Sequence, residues 1–416
     1  MKKIGLFLFG ICFALQMVAQ EQNYFTNPVI RGDVPDPSVI RIEDTYYATG
    51  TSSEWAPFYP MFTSKDLVNW KQVGHVFTKQ PSWTSNSFWA PELFYHNNKV
   101  YCYYTARQKS TGISYIGVAT SDSPLHEFTD HGPIVEYGKE AIDAFIYDDN
   151  GQLYISWKAY GLDTRPIELL GCKLSADGLH LDGEPFTLLV DEKGIGMEGQ
   201  YHFKEGDYYY IVYAAHGCCG PSSDYDVYVA RARNYGGPYE KYFGNPILHG
   251  GEGDYKSCGH GTVVRTSDGR MFYMCHAYLK GDGFFIGRQP ILQEMEMTDN
   301  HWVRFKTGNL AIAEQPIPFV GTKQEPLSDF EDNFKGNQLK VDWTWNYPYS
   351  DIHAVLKKGK LFLSGTPKNN NKYGTALCLR PQSPQYSCET KVMNTGKGLK
   401  GLTLYGDDKN LIAWGI

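Results

Sequence analysis

The segment Val34-Pro35-Asp36-Pro37-Ser38-Val39-Ile40 decides the fold of this chain. One carboxylate, Asp36, stands at the start of a short apolar run, between two prolines that fix the local backbone. The apolar run Tyr46-Tyr47-Ala48-Thr49 follows after the polar pair Glu43-Asp44, which is typical of a hairpin turn. The segment therefore predicts a hairpin whose first strand begins with an acidic residue.

This strand-turn-strand pattern occurs four more times along the chain. The residues that correspond to Asp36 are Trp89, Asp143, Glu198 and His260, so the steps are 53, 54, 55 and 62 residues. A period of this size is typical of a repeat architecture, and turn pairs mark out four strands in each repeat. No long stretch has the periodicity of a helix. The sequence therefore predicts an all-β protein, built on a five-bladed β-propeller.

Three of the five repeated positions are carboxylates. Because the first strand of each blade lines the axis of a propeller, we expect Asp36, Asp143 and Glu198 to face one pocket. A single carboxylate more often sits in a turn or caps a strand, but three at matched positions disfavour that interpretation. Glycoside hydrolysis uses such a set, one group as acid and one as base or nucleophile. Burial and neighbouring charges should raise the pKa of Glu198.

The chain resembles glycoside hydrolase family 43 from about Asn27 to Pro318. The segments that carry the resemblance are Val34-Pro35-Asp36-Pro37-Ser38-Val39, Trp89-Ala90-Pro91-Glu92-Leu93, Ile142-Asp143-Ala144-Phe145-Ile146-Tyr147-Asp148-Asp149-Asn150-Gly151, Met197-Glu198-Gly199 and Gly259-His260-Gly261. The resemblance implies an inverting mechanism, and the wide separation expected for carboxylates on non-adjacent strands agrees with it. It implies that Asp36 is the general base, that Glu198 is the general acid, and that Asp143 raises the pKa of the acid and orients it.

The remaining site predictions are less specific. The resemblance implies that Arg288 contacts substrate and that His260 lies beside a structural calcium or an ordered water at the axis, with no cofactor required. Arg288 as an ion-pair partner of an axial carboxylate, and His260 as a core histidine, remain open. Trp89 is interpreted as a wall of the substrate pocket. Where the family often has proline, this chain has Ala144 and Gln200, beside two of the carboxylates.

The domain organisation follows from composition. Residues 1–20 are predicted to be a signal peptide, with Lys2-Lys3 before an apolar core too short for a membrane span, so the protein is expected to be exported, either periplasmic or secreted. Residues 21–320 form the propeller and residues 321–328 a polar linker. Residues 329–416 resemble the C-terminal β-sandwich of xylosidase-like and arabinofuranosidase-like members. That domain is predicted to be incomplete, because the chain stops after a strand-like run.

Composition narrows the partners. A formal charge of -7 and a pI near 6.0 argue against nucleic acid, and the aromatic content of 15% suits β-structure and sugar binding. Eight of the nine cysteines lie outside the predicted signal peptide, and most of these are interpreted as buried thiols, with no role inferred for the adjacent pair Cys218-Cys219.

The predicted function is an exported inverting hydrolase that removes α-L-arabinofuranosyl or β-D-xylosyl units from plant polysaccharides or oligosaccharides. The alternatives are a carbohydrate-binding propeller without catalysis and a propeller glycosidase for another sugar such as galactose. A retaining enzyme for sucrose or fructans would need an Asn-Asp-Pro-Asn-like segment, which this sequence lacks. The sugar, the linkage, exo or endo action and the oligomeric state remain open.

Overall fold

The computed structural model describes residues 23–160, 166–393, 396, 398–407 and 409–415. The predicted signal peptide, residues 1–20, lies outside the described residues. Within them the only helices are two 3-10 turns, Lys280–Asp282 and Phe284–Ile286, and no helix is long and apolar enough to span a membrane. The all-β prediction is therefore confirmed.

The strands of the described residues follow in chain order. They are β1 (Tyr24–Thr26), β2 (Ser38–Ile42), β3 (Thr45–Thr49), β4 (Trp55–Ala56), β5 (Phe58–Ser64), β6 (Lys71–Phe77), β7 (Trp89–His96), β8 (Lys99–Arg107), β9 (Ser114–Ser121), β10 (Thr129–Val135), β11 (Ala141–Asp149), β12 (Gln152–Ala159), β13 (Glu168–Lys173), β14 (Phe186–Val190), β15 (Glu198–Glu205), β16 (Tyr208–Ala215), β17 (Asp226–Ala232), β18 (Glu240–Lys241), β19 (Leu248–His249), β20 (Tyr255–Arg265), β21 (Met271–Leu279), β22 (Gln289–Met297), β23 (Val303–Phe305), β24 (Glu314–Pro316), β25 (Trp345–Asn346), β26 (Ser350–Leu356), β27 (Leu361–Pro367), β28 (Gly401–Tyr405) and β29 (Leu411–Gly415).

Five antiparallel sheets form the blades of a propeller. Their strand orders are β2-β3-β5-β6, β7-β8-β9-β10, β11-β12-β13-β14, β15-β16-β17-β18 with β19 also on β17, and β20-β21-β22-β23. The first strands contact one another in a closed ring, β2 to β7, β7 to β11, β11 to β15, β15 to β20 and β20 to β2. The five-bladed propeller is therefore confirmed, with the first strand of each blade at the axis.

The segment before β2 closes the ring, because every blade consists of consecutive strands and none is shared between the two ends. The backbone N–H groups of Val29 and Val34 donate to the carbonyls of Pro290 and Arg288, at the start of β22. The side-chain amide of Asn27 donates to the carbonyl of Leu292, and its oxygen accepts the N–H of the same residue. Large apolar and aromatic clusters fill the spaces between neighbouring blades.

In the described part of the chain beyond residue 321 there are two hairpins, β26-β27 and β28-β29, and one short strand that joins the propeller. That strand, β25, pairs with β4, so the C-terminal region is attached to the first blade by backbone hydrogen bonds. The hairpins agree with a β-rich second domain, while the two facing sheets of a sandwich and the domain boundaries remain predictions.

Tyr347 fixes this attachment, and its replacement by alanine is expected to destabilise the protein. Its ring packs edge-on against Phe58 at 5.0 Å and against Phe88 at 5.8 Å, and its hydroxyl donates to the carbonyl of Ser85. We expect Tyr347→Ala to lower the free energy of unfolding by about 2 kcal/mol, measured as a lower midpoint in guanidinium. Tyr373→Ala is the matched control, because Tyr373 is 59% exposed. Equal midpoints for the two variants would contradict this role.

Candidate active site

Each inner strand has a residue in the left-handed region of backbone space, either within the strand or shortly before it. These residues are Asp36 (φ 55°), Ala90 (φ 39°), Asp143 (φ 59°), Gly199 (φ 60°) and His260 (φ 47°). In the last four blades the register between the first and second strands shifts at the same point. This is a β-bulge, which bends the strand and turns a side chain away from the regular pleat. Together with Asp36, which precedes β2, these four bends give each blade one residue at the matched axial position.

The bulges correct the repeat register that the sequence predicted. Ala90 and Gly199 occupy the repeated position, whereas Trp89 and Glu198 precede it by one residue. Trp89 and Glu198 are instead the last residues paired with the second strand before the bulge. The structure therefore aligns Asp36, Asp143 and His260 with one another and gives Glu198 a different approach to the pocket.

Asp36 is held as an ionised carboxylate. Its Oδ1 lies 3.4 Å from Nη1 of Arg288, and its Oδ2 accepts a 2.6 Å hydrogen bond from the hydroxyl of Thr51. The backbone N–H of Asp36 donates to Nδ1 of His276, whose pKa burial lowers to about 4. Burial acts to raise the pKa of Asp36, but the charges of Arg288 and His260 outweigh it and hold this pKa well below its ordinary value.

Asp143 has the opposite electrostatic environment. Its backbone N–H donates to the hydroxyl of Thr105, and its Oδ2 accepts the N–H of Gly199 at 3.2 Å. Burial raises the pKa of Asp143 to about 6, against the lowering effect of His260, and the charge of Glu198 raises it further. Of Asp36, Asp143 and Glu198, Asp143 is therefore the carboxyl that retains a proton most readily.

Glu198 is paired with a buried cation. Nζ of Lys158 lies 2.5 Å from its Oε2, and the hydroxyl of Tyr225 donates to its Oε1 at 2.8 Å. Burial acts to raise the pKa of Glu198, but Lys158 outweighs it and lowers this pKa below its ordinary value. The expectation that Glu198 itself has a raised pKa is therefore wrong for the free protein. The pKa of Glu198 is lowered because the ammonium of Lys158 stabilises the negative charge that burial alone would disfavour.

His260 lies between two of the carboxylates. Its Nδ1 is 3.4 Å from Oδ1 of Asp36 and 3.9 Å from Oδ2 of Asp143. Gly199 packs directly on the imidazole, since a Cβ at this position would lie 2.5 Å from Cγ of His260. Glycine is thus required here twice, for its positive φ and for this close approach.

Arg288 is held by two aspartates, Asp36 at its guanidinium group and Asp33 at its backbone N–H. Its backbone N–H donates to Oδ1 of Asp33 at 2.8 Å. Arg380, from the C-terminal region, donates to the carbonyl of Asp33 and to the side chain of Gln72. The contact between Arg288 and Asp36 supports the interpretation of Arg288 as an ion-pair partner. A substrate contact by the same guanidinium remains a prediction.

The assembled pocket holds a carboxylate with a strongly lowered pKa, a carboxyl with a raised pKa and a lysine-paired glutamate. A sequence profile described as Glycosyl hydrolases family 43 matches residues 25–303 of this chain. The chain belongs to that family. This family 43 protein is therefore a glycoside hydrolase with a five-bladed propeller.

Similar proteins agree with the assignment. Xylan 1,3-beta-xylosidase from Vibrio sp is 28% identical over 91% of this chain and 76% of its own length. A non-reducing end alpha-L-arabinofuranosidase from Bacteroides ovatus is 28% identical over 98% of this chain and 78% of its own length. A crystal structure of a family 43 protein from a capybara gut metagenome matches with a TM-score of 0.77, covering 95% of this chain and 79% of that chain. At 22% identity this last likeness shows the shared fold.

Trp89 of this family 43 hydrolase pairs with Thr105, the residue whose hydroxyl accepts the backbone N–H of Asp143. Trp89 is half-buried, and its ring lies 5.7 Å from the guanidinium carbon of Arg107. Arg107 in turn lies 3.8 Å from Oε1 of Glu140. A substrate-binding role for Trp89 remains a prediction.

The side chains around His260 do not suit a directly held calcium ion. Calcium prefers six to eight oxygen ligands, whereas His260 offers nitrogen, already close to two carboxylates. Among the described residues no group of three or more His, Cys, Asp and Glu side chains could hold a metal ion. The axial calcium therefore remains a prediction, and no catalytic step depends on it.

The structure adds polar residues of the second strands to the site. The two that matter most are Lys158 on β12 and His276 on β21, each buried and each in contact with the inner strand of the next blade. Both are polar residues inside otherwise apolar runs, which is the signal that could have identified Lys158. Gln200, where the family often has proline, donates to the backbone carbonyl of Asp143 at 2.6 Å and so supports that bulge.

Proposed function

We propose that this hydrolase is exported and that it removes α-L-arabinofuranosyl or β-D-xylosyl units from plant polysaccharides with inversion of configuration. Export rests on the apolar N-terminal stretch that follows Lys2-Lys3. The sugar classes rest on the printed names of the relatives, and the mechanism rests on the contrast between the axial carboxylates.

Asp36 acts as the general base in this proposal. A water molecule between Asp36 and the anomeric carbon loses its proton to the carboxylate as its oxygen attacks that carbon. The pKa of Asp36 lies well below its ordinary value because of Arg288 and His260, so the group is ionised throughout the working pH range. Thr51 occupies Oδ2 as a donor, which leaves Oδ1 as the oxygen beside Arg288.

Glu198 acts as the general acid and donates a proton to the leaving oxygen as the glycosidic bond breaks. The hydroxyl of Tyr225 and the ammonium of Lys158 fix both of its oxygens. In the free protein the proton of the Asp143–Glu198 pair rests preferentially on Asp143, because Lys158 contacts Glu198 directly and lowers its pKa, whereas burial raises the pKa of Asp143. Asp143 thus holds the proton that Glu198 must receive before it donates. After turnover, solvent takes the proton from Asp36 and restores the proton of the pair.

The contrast between the ionised Asp36 and the proton held by the Asp143–Glu198 pair carries the proposal, because a general base must be deprotonated at the same pH at which the acid has a proton to donate. The test is proton NMR of the first sugar released from aryl arabinofuranosides and xylosides. The product anomer opposite to that of the substrate is expected. Retention of configuration would contradict the mechanism, and turnover only of galactosides would contradict the sugar class.

Two variants are expected to shift the alkaline limb of the pH profile in opposite directions. The alkaline limb of kcat/KM marks loss of the proton shared by Asp143 and Glu198, which we expect near pH 6. Lys158→Met removes a positive charge, so the pKa of Glu198 rises and the limb moves to higher pH by about one unit. Asp143→Asn removes a negative charge, so the limb moves to lower pH.

Lys204→Met is the matched control for these variants. Lys204 is exposed and lies near the far end of the same strand as Glu198. The Lys204→Met variant therefore removes the same charge as Lys158→Met, but far from the pocket, and it should leave the alkaline limb in place. Shifts of the same sign in Lys158→Met and Asp143→Asn would contradict the proposed sharing of one proton.

A further inference from the structure

Cys218 and Cys219 form a disulfide between adjacent residues. The other cysteines of the described residues are free, four of them buried, so this bridge is not part of a general disulfide framework. The bond closes an eight-membered ring that includes the intervening peptide unit. Such a ring presents a compact apolar surface of two sulfur atoms and two methylene groups. Cys219 is exposed and Cys218 is half-buried, so this surface is accessible to a ligand.

The ring lies on the same face of the propeller as the carboxylates. Ala214, near the end of β16, pairs with Glu198 at the start of β15. The loop that leaves β16 therefore emerges beside the acid. Cys218 follows Ala214 by four residues, so at most about 14 Å of extended chain separates the two.

The loop is held by a dense set of hydrogen bonds. The hydroxyl of Ser223, itself buried, donates to the carbonyls of Gly217 and Cys218 and shares a hydrogen bond with the hydroxyl of Ser257. The N–H of Gly217 donates to Oδ1 of Asp224 at 2.8 Å. The disulfide is thus carried by a closed loop and not by a free chain.

Tyr225 connects this loop to both proposed catalytic carboxylates, and Tyr278 ties the loop to β21. Tyr225, at the end of the loop, donates to Oε1 of Glu198, and its ring stacks on His276 at a centroid distance of 5.5 Å. His276 accepts the backbone N–H of Asp36. The hydroxyl of Tyr278 accepts the N–H of Gly220, directly after the disulfide. The loop that carries the ring is therefore linked to Glu198 and Asp36 through Tyr225 and His276, and Asp36 itself is buried while Cys219 is exposed.

We propose that the Cys218–Cys219 ring is an apolar platform for the part of the substrate that leaves, the sugar on the far side of the scissile bond. The inference rests on the proposed function, since Glu198 must stand beside the leaving oxygen. An exposed platform next to Glu198 then meets the leaving sugar, and the transferred sugar occupies the buried end. The C–H face of a pyranose or furanose ring is the surface that suits two sulfurs and two methylenes.

The test compares two substrates of the same transferred sugar. An oligosaccharide has a leaving sugar, whereas the glycosyl fluoride has none. We expect Cys218→Ser/Cys219→Ser to lower kcat/KM for the oligosaccharide about tenfold, mainly through KM, and to leave the fluoride within about twofold. Reduction of the unmutated bridge with a water-soluble phosphine should reproduce the change, and reoxidation should reverse it. If the double variant fails to fold, this reduction and reoxidation of the unmutated protein tests the proposal instead.

Cys388→Ser provides the background and the control, because Cys388 is an exposed free thiol. In that background the mass gain of two hydrogen atoms reports reduction of the Cys218–Cys219 bridge. An equal loss on both substrates would overturn the platform, since it would mean that the ring only supports Tyr225 and the acid. An unchanged KM for the oligosaccharide would overturn it as well. No turnover of any glycoside by the unmodified protein would contradict the proposed function itself, and the platform with it.

Discussion

Replacing Asp36 by asparagine is expected to lower kcat by about 10³-fold, within the range that a positioned general base contributes. Asparagine keeps the shape of the side chain and the hydrogen bond from Thr51, but it accepts no proton from the attacking water. Because the water is activated only in the transition state, KM should change little. Steady-state kinetics on an aryl glycoside, with the folded state checked by circular dichroism, measures both quantities.

Glu92→Gln is the matched control for Asp36→Asn. Glu92 is also an inner-strand carboxyl, but its Oε2 accepts a 2.6 Å hydrogen bond from Ser38. Burial raises the pKa of Glu92 to about 8, so it is already neutral at pH 7 and glutamine imitates it. We expect this variant to retain nearly full activity. Turnover of Asp36→Asn close to that of Glu92→Gln would exclude Asp36 as the base.

The acid limb of the pH profile provides a second test of Asp36 as the general base. A base works only when it is deprotonated, so activity falls as the pH drops through its pKa. That pKa lies well below 3.8 in the structure, because Arg288 and His260 favour the carboxylate despite burial. The limb should therefore lie below the ordinary pKa of an aspartate, and it should move to higher pH in Arg288→Met, which removes a positive charge beside Asp36.

The propeller could be predicted from the sequence because each blade repeats the same local pattern of residue types. Each blade begins with an acidic, aromatic or imidazole side chain before an apolar hairpin, and the period is nearly constant. The attachment of Tyr347 to the first blade was not predictable, because it depends on contacts between residues far apart in the chain.

The site was predicted in part. Asp36, Asp143 and His260 do occupy one repeated position, whereas Trp89 and Glu198 are displaced by one residue. A β-bulge inserts a residue without any signature in composition, so the repeat could be read in either register. The direction of the pKa shift at Glu198 depended on Lys158, which lies 40 residues away and meets Glu198 only across two blades. Sequence spacing does not report a contact of this kind.

Replacing Glu198 by glutamine is expected to separate substrates by the quality of their leaving groups. An unactivated oligosaccharide needs a proton on its leaving oxygen, so kcat should fall about 10³-fold. An aryl glycoside with an acidic phenol needs little protonation and should lose less than about tenfold. The measurement is kcat for a series of aryl glycosides, plotted against the pKa of the phenol, where the variant should show the steeper slope.

Tyr225→Phe is the control that distinguishes the acid from its support. It removes the hydrogen bond to Oε1 of Glu198 and keeps both the carboxyl group and the ring that stacks on His276. Its slope should therefore match that of the unmodified enzyme, with a small and uniform loss of rate. If Glu198→Gln slowed every member of the series equally, Glu198 would serve to position the substrate and the proton would come from another group. Asp143 would then be the first candidate, because its raised pKa keeps a proton beside the same pocket.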